Sequence, residues 1–347
     1  MGSVERSGRV SPLAVIGWSG LAVLLVVAFL SALAALNQSI YGASNFVERY
    51  LEEIANDEIT LAATTPGVAL DAEQLAALGL PGDVSTAMLR SGVISSGPED
   101  IRITDDVTHD DGTHTVTASY RLGDTITDTA FEIEPIAPLY GVLNRWAFSI
   151  SPIAIIDVTA AHYPIFTVGD LQLDTRAHKT GDDLAAFTQT APYLAIAPAV
   201  YSFSYDDVLL TAQDVVTVAA PGSRTAVTVD SQPTPSFVER VQRQLDQYLD
   251  QCAAQQVLQP TGCPFGEVVD DRVISAPTWS ISTYPVVTLI AGATAFDMPP
   301  TEGVAHLSVE VQSLFDGDVS QLERDSTFLV SLSATIQPDG SIAVQLK

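Results

Sequence analysis

The most pronounced pattern in the chain is an apolar run near its N-terminus. Leu13 to Leu36 reads LAVIGWSGLAVLLVVAFLSALAAL, which is 24 residues without a charged side chain. At about 1.5 Å of rise per residue, a helix of this length measures about 36 Å and exceeds the hydrocarbon core of a bilayer, about 30 Å. Trp18 lies near the first edge, where an indole suits the headgroup region. The run therefore predicts a transmembrane helix over residues 13–36.

The charges on either side of this run predict its orientation. Arg6 and Arg9 precede it. The side after it is acidic, with carboxylates at Glu48, Glu52 and Glu53. Because cytoplasmic flanks carry an excess of Arg and Lys, residues 1–12 are predicted in the cytoplasm and about 310 residues outside the cell membrane.

Two alternatives to a retained anchor remain open. A cleaved signal peptide usually has an apolar region of only about 7–15 residues and a small-x-small cleavage site, which Ala32-Leu33-Ala34 could supply. A buried helix of a soluble protein would show a polar face, and the run has none. The length of the run favours the retained anchor.

A short phrase occurs twice after the anchor. Asn45-Phe46-Val47-Glu48-Arg49 is echoed by Ser236-Phe237-Val238-Glu239-Arg240. Each copy starts with a residue that favours an N-cap and has Glu three positions later, as in a capping box. Apolar residues then follow at helical spacing, so each copy predicts an amphipathic helix.

Strand-like segments follow each predicted helix. The first set is Ile101–Val107, Thr113–Leu122, Thr125–Ile133 and Trp146–Ile150. The second set is Thr278–Ile290, Ala305–Phe315, Thr327–Gln337 and Ser341–Leu346. Turn signals at Asp110-Asp111-Gly112, Leu122-Gly123-Asp124 and Pro338-Asp339-Gly340 predict hairpins. Since a helix across an antiparallel sheet buries both apolar faces, residues 45–150 and 236–347 are predicted as α+β domains of related plan.

The segment between these domains contains short β-branched and aromatic runs without a long helical pattern. This spacing predicts a small β-sandwich over residues 151–230. Residues 231–235 read SQPTP and predict a stiff linker, because closely spaced X-Pro units favour extended backbone.

Three resemblances accompany this layout. A helix followed by a curved sheet outside an anchor resembles NTF2-like or cystatin-like α+β folds, some of which carry a pocket between helix and sheet. Residues 193–201 (YLAIAPAVY), followed by Leu209-Leu210-Thr211-Ala212, resemble the second domain of the TcaA family, envelope proteins associated with glycopeptide resistance. In that family a Pro-Gly-x-Tyr turn precedes a strand, and Pro198-Ala199 stands there in this chain. Cys252–Phe265 (CAAQQVLQPTGCPF) resembles a stretch of membrane-anchored actinobacterial proteins of unknown function.

Charge and cysteine content bear on the partners of the protein and on the pairing of its cysteines. With 15 Lys and Arg against 42 Asp and Glu, the net charge is −27, so nucleic acid is not an expected partner. Cys252 and Cys263 are the only cysteines, and no histidine lies near them to complete a zinc site. In an oxidising compartment they are predicted to form a disulfide.

Catalytic and metal-binding motifs are mostly missing. The sequence contains no P-loop, no H-E-x-x-H and no G-x-S-x-G. His109 and His114 flank the Asp110-Asp111-Gly112 turn and could hold a metal, although solvated turn residues are the simpler interpretation. Asp316, Asp318 and Glu323 offer oxygen ligands for calcium without a full EF-hand pattern.

Five adjacent acidic pairs are interpreted as a solvated surface, because neighbouring residues on a strand point to opposite faces. They are Asp105-Asp106, Asp110-Asp111, Asp182-Asp183, Asp206-Asp207 and Asp270-Asp271. We therefore expect no catalytic, cofactor-binding or metal-binding residue and no cofactor.

Two hypotheses follow for function. The first is a single-span envelope protein whose external part has an interaction or structural role, with the membrane and an envelope protein or the cell wall as partners. The second is an anchored sensor or enzyme that binds a small ligand in an NTF2-like cleft. Since one fold hosts many functions, the state of that cleft distinguishes them: an open pocket with converging polar groups favours the second, and a filled one the first.

Overall fold

The computed structural model describes residues 12–178 and 187–347, with side chains described at 18–177 and 187–347. This part of the chain is α+β and mostly sheet, as predicted. The helices are α1 (Pro12–Ser39), α2 (Ala43–Ala55), α3 (Ile59–Ala63), α4 (Ala72–Ala77) and α5 (Pro235–Ala253), with a 3-10 turn at Thr175–His178. Arg6, Arg9 and the pair Asp182-Asp183 lie outside the described residues.

Strands account for most of the remaining elements. The first nine are β1 (Glu99–Thr108), β2 (His114–Leu122), β3 (Thr125–Leu139), β4 (Leu143–Phe148), β5 (Ala154–Ala161), β6 (Ile165–Val168), β7 (Leu171–Asp174), β8 (Thr188–Ala195) and β9 (Ala199–Asp206). The other nine are β10 (Leu210–Ala219), β11 (Arg224–Asp230), β12 (Gln232–Pro233), β13 (Arg272–Val273), β14 (Thr278–Thr283), β15 (Ile290–Ala291), β16 (Phe296–Gln312), β17 (Val319–Ile336) and β18 (Ile342–Leu346).

The chain divides into two compact units, and each is built from several separate segments. The first comprises the described part of Met1–Asp157 with Pro192–Ser202 and Val216–Thr225. The second comprises the described part of Val158–Ala191 with Phe203–Val215 and Ala226–Lys347. The predicted middle domain is thus shared between the two units.

Helix α1 is apolar and carries its side chains outward. Its segment Trp18–Ser39 has a mean hydropathy of 2.5 and is long enough to cross a membrane, although a signal sequence near an N-terminus has the same properties. Trp18 is 72% exposed, and the other large apolar side chains described in α1 are exposed as well, except the half-buried Leu33. The predicted N-terminal apolar helix is therefore confirmed.

The first unit places α2 on a four-stranded antiparallel sheet of order β1-β2-β3-β4. The buried face of α2 has the predicted helical spacing, with Phe46, Tyr50 and Ile54 in the core. Phe46 and Tyr50 lie with their ring centroids 5.0 and 4.9 Å from that of Phe148, at the end of β4. Aromatic packing thus fixes the helix to the last strand.

The second unit repeats this arrangement with different strands. Helix α5 packs on β14, β12 and β18. The sheet has the order β13-β16-β17-β18, with β14 and β15 also paired to β16. Phe237 of α5 contacts Phe296 of β16 with ring centroids 5.5 Å apart. Both copies of the repeated phrase are therefore helical, and in each the phenylalanine faces the core.

The predicted capping boxes at Asn45 and Ser236 are wrong. Gly42 is the N-cap of α2 and provides no side-chain hydrogen bond. Thr234 is the N-cap of α5, and its hydroxyl accepts a hydrogen bond from the backbone of Phe237. Pro235 is the physical reason in α5, because proline suits the first helical position and moves the helix start two residues upstream of the predicted one.

Two further sheets contain the strands of the middle segment. Their orders are β12-β10-β9-β6-β7 and β11-β5-β8. The segment predicted as a linker contributes β12, which pairs with Leu210 and Thr211 of β10. Strand β10 is continuous over 10 residues, and β8 lies at the edge of the smaller sheet.

The predicted disulfide is confirmed: Cys252 is bonded to Cys263, with Cα atoms 5.7 Å apart. Cys252 is buried in the last turn of α5. Cys263 follows Gly262, whose φ of 72° lies in the left-handed region that favours glycine. The bond therefore ties the end of the helix to the loop that leads into the sheet.

Candidate functional site

A cavity of about 590 Å³ in the second unit is the main candidate for a ligand site. Its walls are the segment around His162, the start of β16 at Phe296, and the end of β17 at Ile336. Arg176 and Phe187 also line the cavity, where their side chains are available to contact a ligand. The cavity lies at one end of the β16–β17 pair and combines two aromatic walls with two nitrogen-bearing side chains.

His162 is held in one orientation by a carboxylate. Its Nδ1 lies 2.7 Å from Oδ1 of Asp230, which also accepts a hydrogen bond of 2.7 Å from Nε2 of Gln232. Since an ionised carboxylate only accepts hydrogen bonds, Nδ1 of His162 carries a proton. The backbone of His162 has a φ of 68°, in the left-handed region that few non-glycine residues adopt. Both features fix where the imidazole stands on the cavity wall.

Aromatic rings surround this imidazole. The ring centroid of His162 lies 5.2 Å from that of Phe187 and 6.1 Å from that of Phe296. Phe187 and Phe296 are themselves 5.1 Å apart, edge to face. Because Phe296 also contacts Phe237, the wall is anchored to the first turns of α5. The cavity therefore offers rigid apolar surface beside a polar ring.

The charge of Arg176 is already engaged. Its Nε donates hydrogen bonds of 2.9 and 3.1 Å to the two carboxylate oxygens of Asp174, and its Nη2 donates one of 2.6 Å. Burial raises the pKa of Asp174, but hydrogen bonds from Arg176 outweigh it and leave that pKa below its ordinary value. The same pairing raises the pKa of Arg176. The site therefore contains a neutralised ion pair rather than a free cation.

Around Tyr50, the space between α2 and the sheet of the first unit is filled with side chains. Tyr50 is fully buried, and its ring packs edge to face against the rings of Phe148 and Phe131. Its hydroxyl donates a hydrogen bond of 2.7 Å to the carbonyl of Ala197. Burial raises the pKa of Tyr50 well above its usual value. Tyr50 therefore acts as a neutral core residue.

The two histidines of the predicted turn have separate partners. Nδ1 of His114 lies 2.6 Å from Asp106, while Nε2 of His109 lies 2.8 Å from the hydroxyl of Thr115. Asp111 accepts hydrogen bonds from Thr113, which lower the pKa of its carboxyl. These side-chain contacts thus stabilise the β1–β2 hairpin, and His114 is largely covered, with its ring 4.7 Å from that of Trp146.

The carboxylates considered as calcium ligands form hydrogen bonds within the β16–β17 hairpin. Asp316 accepts a hydrogen bond from the backbone of Asp318. Glu323 bonds instead to His306 across the strand pair, at 2.8 Å, and to the hydroxyl of Ser308. Within the described residues, no three His, Cys, Asp or Glu side chains are grouped as metal ligands would be.

The four described acidic pairs are exposed. They are Asp105-Asp106, Asp110-Asp111, Asp206-Asp207 and Asp270-Asp271. Asp106 and Asp111 also take part in hydrogen bonds, with His114 and Thr113 respectively, so their carboxylates are only partly available to water.

Two apolar hairpin tips were missed by the sequence analysis. Phe315 is 99% exposed in the turn between β16 and β17, and Leu314 beside it is also exposed. Tyr140 occupies the turn between β3 and β4 and is 86% exposed, with Leu139 and Val142 exposed on either side. The available signal was a pair of large apolar residues inside a turn, where polar residues are the rule.

The comparisons with known proteins give no further information on this site. A scan of protein-family models finds no match to the chain, and searches of curated proteins and of solved structures find none either.

Proposed function

We propose that the chain is a single-span envelope protein with a cytoplasmic N-terminus, anchored by α1, whose external part has an interaction or structural role. Under this proposal the two helix-on-sheet modules are NTF2-like or cystatin-like, and the middle strands form a β-sandwich related to the second domain of the TcaA family. An envelope protein or the cell wall is the partner.

The exposed tip of the β16–β17 hairpin is the observation that carries this proposal. An almost fully exposed phenylalanine next to an exposed leucine leaves a large apolar surface in water. Aromatic side chains of this kind are typical anchors at protein interfaces, where they fill a pocket on the partner. The continuous helix α1 supports the membrane anchor, because its apolar side chains face outward and lipid would cover them.

Cross-linking in intact cells tests the interaction. A photo-reactive amino acid replaces Phe315, and a second strain carries it at Gln321, an exposed polar position in β17. We expect one discrete cross-linked product from position 315 and none from position 321. The absence of any product from position 315, or equal labelling at both positions, would contradict a docking role for the tip.

Protease protection tests the topology separately. Protease added to intact spheroplasts should digest the part of the chain that follows α1, since that part is proposed to be external. Complete protection would mean that the orientation is reversed. A chain shortened to begin after Ala34, and found outside the membrane fraction, would show that α1 is a cleaved signal.

The cavity of the second unit favours a second candidate function, the binding of a small ligand. Phe187 and Phe296 provide apolar walls, and His162 provides a positioned polar ring. Because Arg176 is neutralised by Asp174, a neutral aromatic compound suits the cavity better than a carboxylate does.

Ligand-observed NMR with two probes tests this second candidate. Indole should bind and benzoate should not, if the guanidinium stays with Asp174. Thr335→Trp, which fills the cavity wall, should abolish indole binding. Thr283→Trp, at an exposed position in β14, is the matched control and should leave it unchanged. Failure of indole to bind the unaltered protein would count against the ligand site.

A further inference from the structure

The tip of the β3–β4 hairpin is fastened to the last turns of α1. Asn37 of α1 donates a hydrogen bond of 2.8 Å from its side-chain nitrogen to the carbonyl of Val142. Its side-chain oxygen accepts one of 3.1 Å from the backbone of Asn144. A single side chain thus satisfies both a donor and an acceptor of the hairpin, which fixes the two elements to each other.

This attachment sets the depth of the hairpin when α1 spans a membrane. Asn37 lies two residues before the end of the apolar segment Trp18–Ser39, at the level where hydrocarbon gives way to headgroups. Val142 is within hydrogen-bonding distance of Asn37 and must lie at that same level. The neighbouring tip residues Leu139 and Tyr140 are therefore within reach of the external lipid leaflet.

The residues at this tip suit a lipid surface and are unusual for a turn in water. Tyr140 and Gly141 both have positive φ, of 54° and 74°. Glycine, asparagine or aspartate normally occupies such positions, because a larger side chain is strained there. Tyr140 is exposed and is flanked by the exposed apolar side chains of Leu139 and Val142, which water solvates poorly. Tyrosine is enriched at membrane interfaces, where such a group of side chains is covered by lipid.

A small cavity of about 190 Å³ lies at the same end of the first unit, and arginine side chains in its lining carry positive charge. Its described lining includes Tyr41, Trp146 and Leu139, and its only charged members are Arg49 and Arg145. The indole nitrogen of Trp146 donates to the carbonyl of Tyr41, just after α1.

The two arginines of this cavity differ in their ion-pair partners. Arg49 lies 3.7 Å from Glu53 and is exposed to solvent. Arg145 has no ion-pair partner among the described residues. In a chain of net charge −27, two guanidinium groups beside an anchor match the negative headgroups of a bilayer.

We propose that the β3–β4 hairpin is a second membrane contact: its tip, Leu139–Val142, inserts into the external leaflet while Arg49 and Arg145 bind the phosphates of anionic phospholipids. The inference rests on the proposed function, because it requires α1 to span the membrane. It adds a partner, the anionic lipid surface, and it means that the first unit is held against the bilayer at two points.

The test measures the depth of a spin label on the full chain in vesicles of phosphatidylcholine and phosphatidylglycerol. Single cysteines replace Tyr140, Ile126 and Phe29, and they are labelled without reduction so that the native disulfide stays closed. Ile126 is the matched control, because it is 74% exposed next to the β2–β3 turn, at the opposite end of the same sheet. Phe29 lies within α1 and is 64% exposed.

Oxygen, which dissolves in lipid, should relax the label at position 140 more than a water-soluble nickel complex does. The order should reverse at position 126. An aqueous signal at 140, with a lipid signal at 29, would overturn the hairpin contact and leave the anchor intact. An aqueous signal at 29 would overturn the anchor, and with it both proposals.

The contribution of the arginines is tested in the same vesicles. Replacing phosphatidylcholine in part by phosphatidylglycerol should deepen the label at position 140. Combined Arg49→Gln and Arg145→Gln changes should remove this dependence on anionic lipid. Arg102→Gln, at an exposed position of β1 in the same unit, should preserve it. An unchanged lipid dependence in the double variant would overturn the assignment of the phosphate contacts.

Discussion

The two copies of the repeated phrase fold into the same element but are stabilised differently. In α2 the phenylalanine packs on Phe148 at the end of the last strand, with the buried Tyr50 below it. In α5 it packs on Phe296 at the start of β16, and a disulfide closes the far end of the helix. Helix α2 is covered further by α3, whereas α5 is longer and more polar. A short sequence repeat therefore predicts a helix and its buried face, and the surroundings decide how that face is used.

The largest expected effect comes from the two phenylalanines. Phe46→Ala and Phe237→Ala should each lower the free energy of unfolding by about 3–5 kcal/mol, because both leave a cavity in a packed aromatic cluster. Hydrogen exchange read by peptide should show each loss in the unit that contains the change. Equal loss of protection in both units from either variant would mean that the two cores are not separable.

The disulfide should have the next largest effect, and only on α5. Its cysteines are 11 residues apart, and in the chain-entropy model a loop of this size contributes about 3 kcal/mol. A variant with Cys252→Ser and Cys263→Ser should melt at a lower temperature than the unaltered protein under non-reducing conditions. Addition of a reductant should lower the melting temperature of the unaltered protein and leave that of the variant unchanged. Free thiols in protein isolated from its native compartment would contradict the bond.

The buried hydroxyl of Tyr50 has a partly exposed counterpart in α5. Tyr50→Phe removes a hydrogen bond to Ala197 in the core and leaves that carbonyl unpaired, at a cost of about 1–3 kcal/mol. Tyr248→Phe removes a hydrogen bond to Gly262 near solvent and should cost less, because water can replace it. Urea denaturation of both variants measures the difference. Similar losses would show that burial is not what distinguishes them.

The helix caps offer a smaller but sharper contrast. Thr234→Ala removes the hydroxyl that caps α5 and should destabilise the protein by about 1 kcal/mol. Ser236→Ala and Asn45→Ala alter residues inside helices and should cost no capping energy. A large loss from Asn45→Ala, with none from Thr234→Ala, would restore the capping boxes that the sequence predicts.

The smallest expected effect is a pH dependence of the free energy of unfolding that arises from His306 in β16. His306 lies 2.7 Å from Asp325 and 2.8 Å from Glu323, and hydrogen bonds first to Asp325 and then to Glu323 raise its pKa. Since the folded pKa exceeds the unfolded value of about 6.5, the stabilisation is complete below that pH and is lost as pH rises through the folded pKa. Denaturation at pH 6 and pH 8 should show this loss, and His306→Gln should remove it. No difference between the two proteins in their pH dependence would contradict the assignment.

Local signals in the sequence predicted the elements that depend on neighbouring residues. The charge-free run, the helical spacing after Phe46 and Phe237, and the Asp-Gly turns each determine structure within a few residues. The disulfide was predictable because only two cysteines exist.

Features that depend on distant residues were not predictable in this way. His162 and Asp230 are 68 residues apart, and the contact between Asn37 and Val142 spans 105. Strand β8 contains Pro192 and lacks a clear alternation, so its pairing with β5 gives it an extended form that its own sequence does not indicate.

The interleaving of the two units has a consequence for biosynthesis. The first unit needs Pro192–Ser202 and Val216–Thr225, and the second already begins at Val158. The first core can therefore not be completed until about residue 225 has been made, and the second also needs Ala226–Lys347. The first unit is therefore completed only after synthesis of the second has begun, which departs from the strict domain order common in larger proteins. A cut near residue 150 would leave a fragment without the carbonyl of Ala197, to which the buried hydroxyl of Tyr50 donates its hydrogen bond.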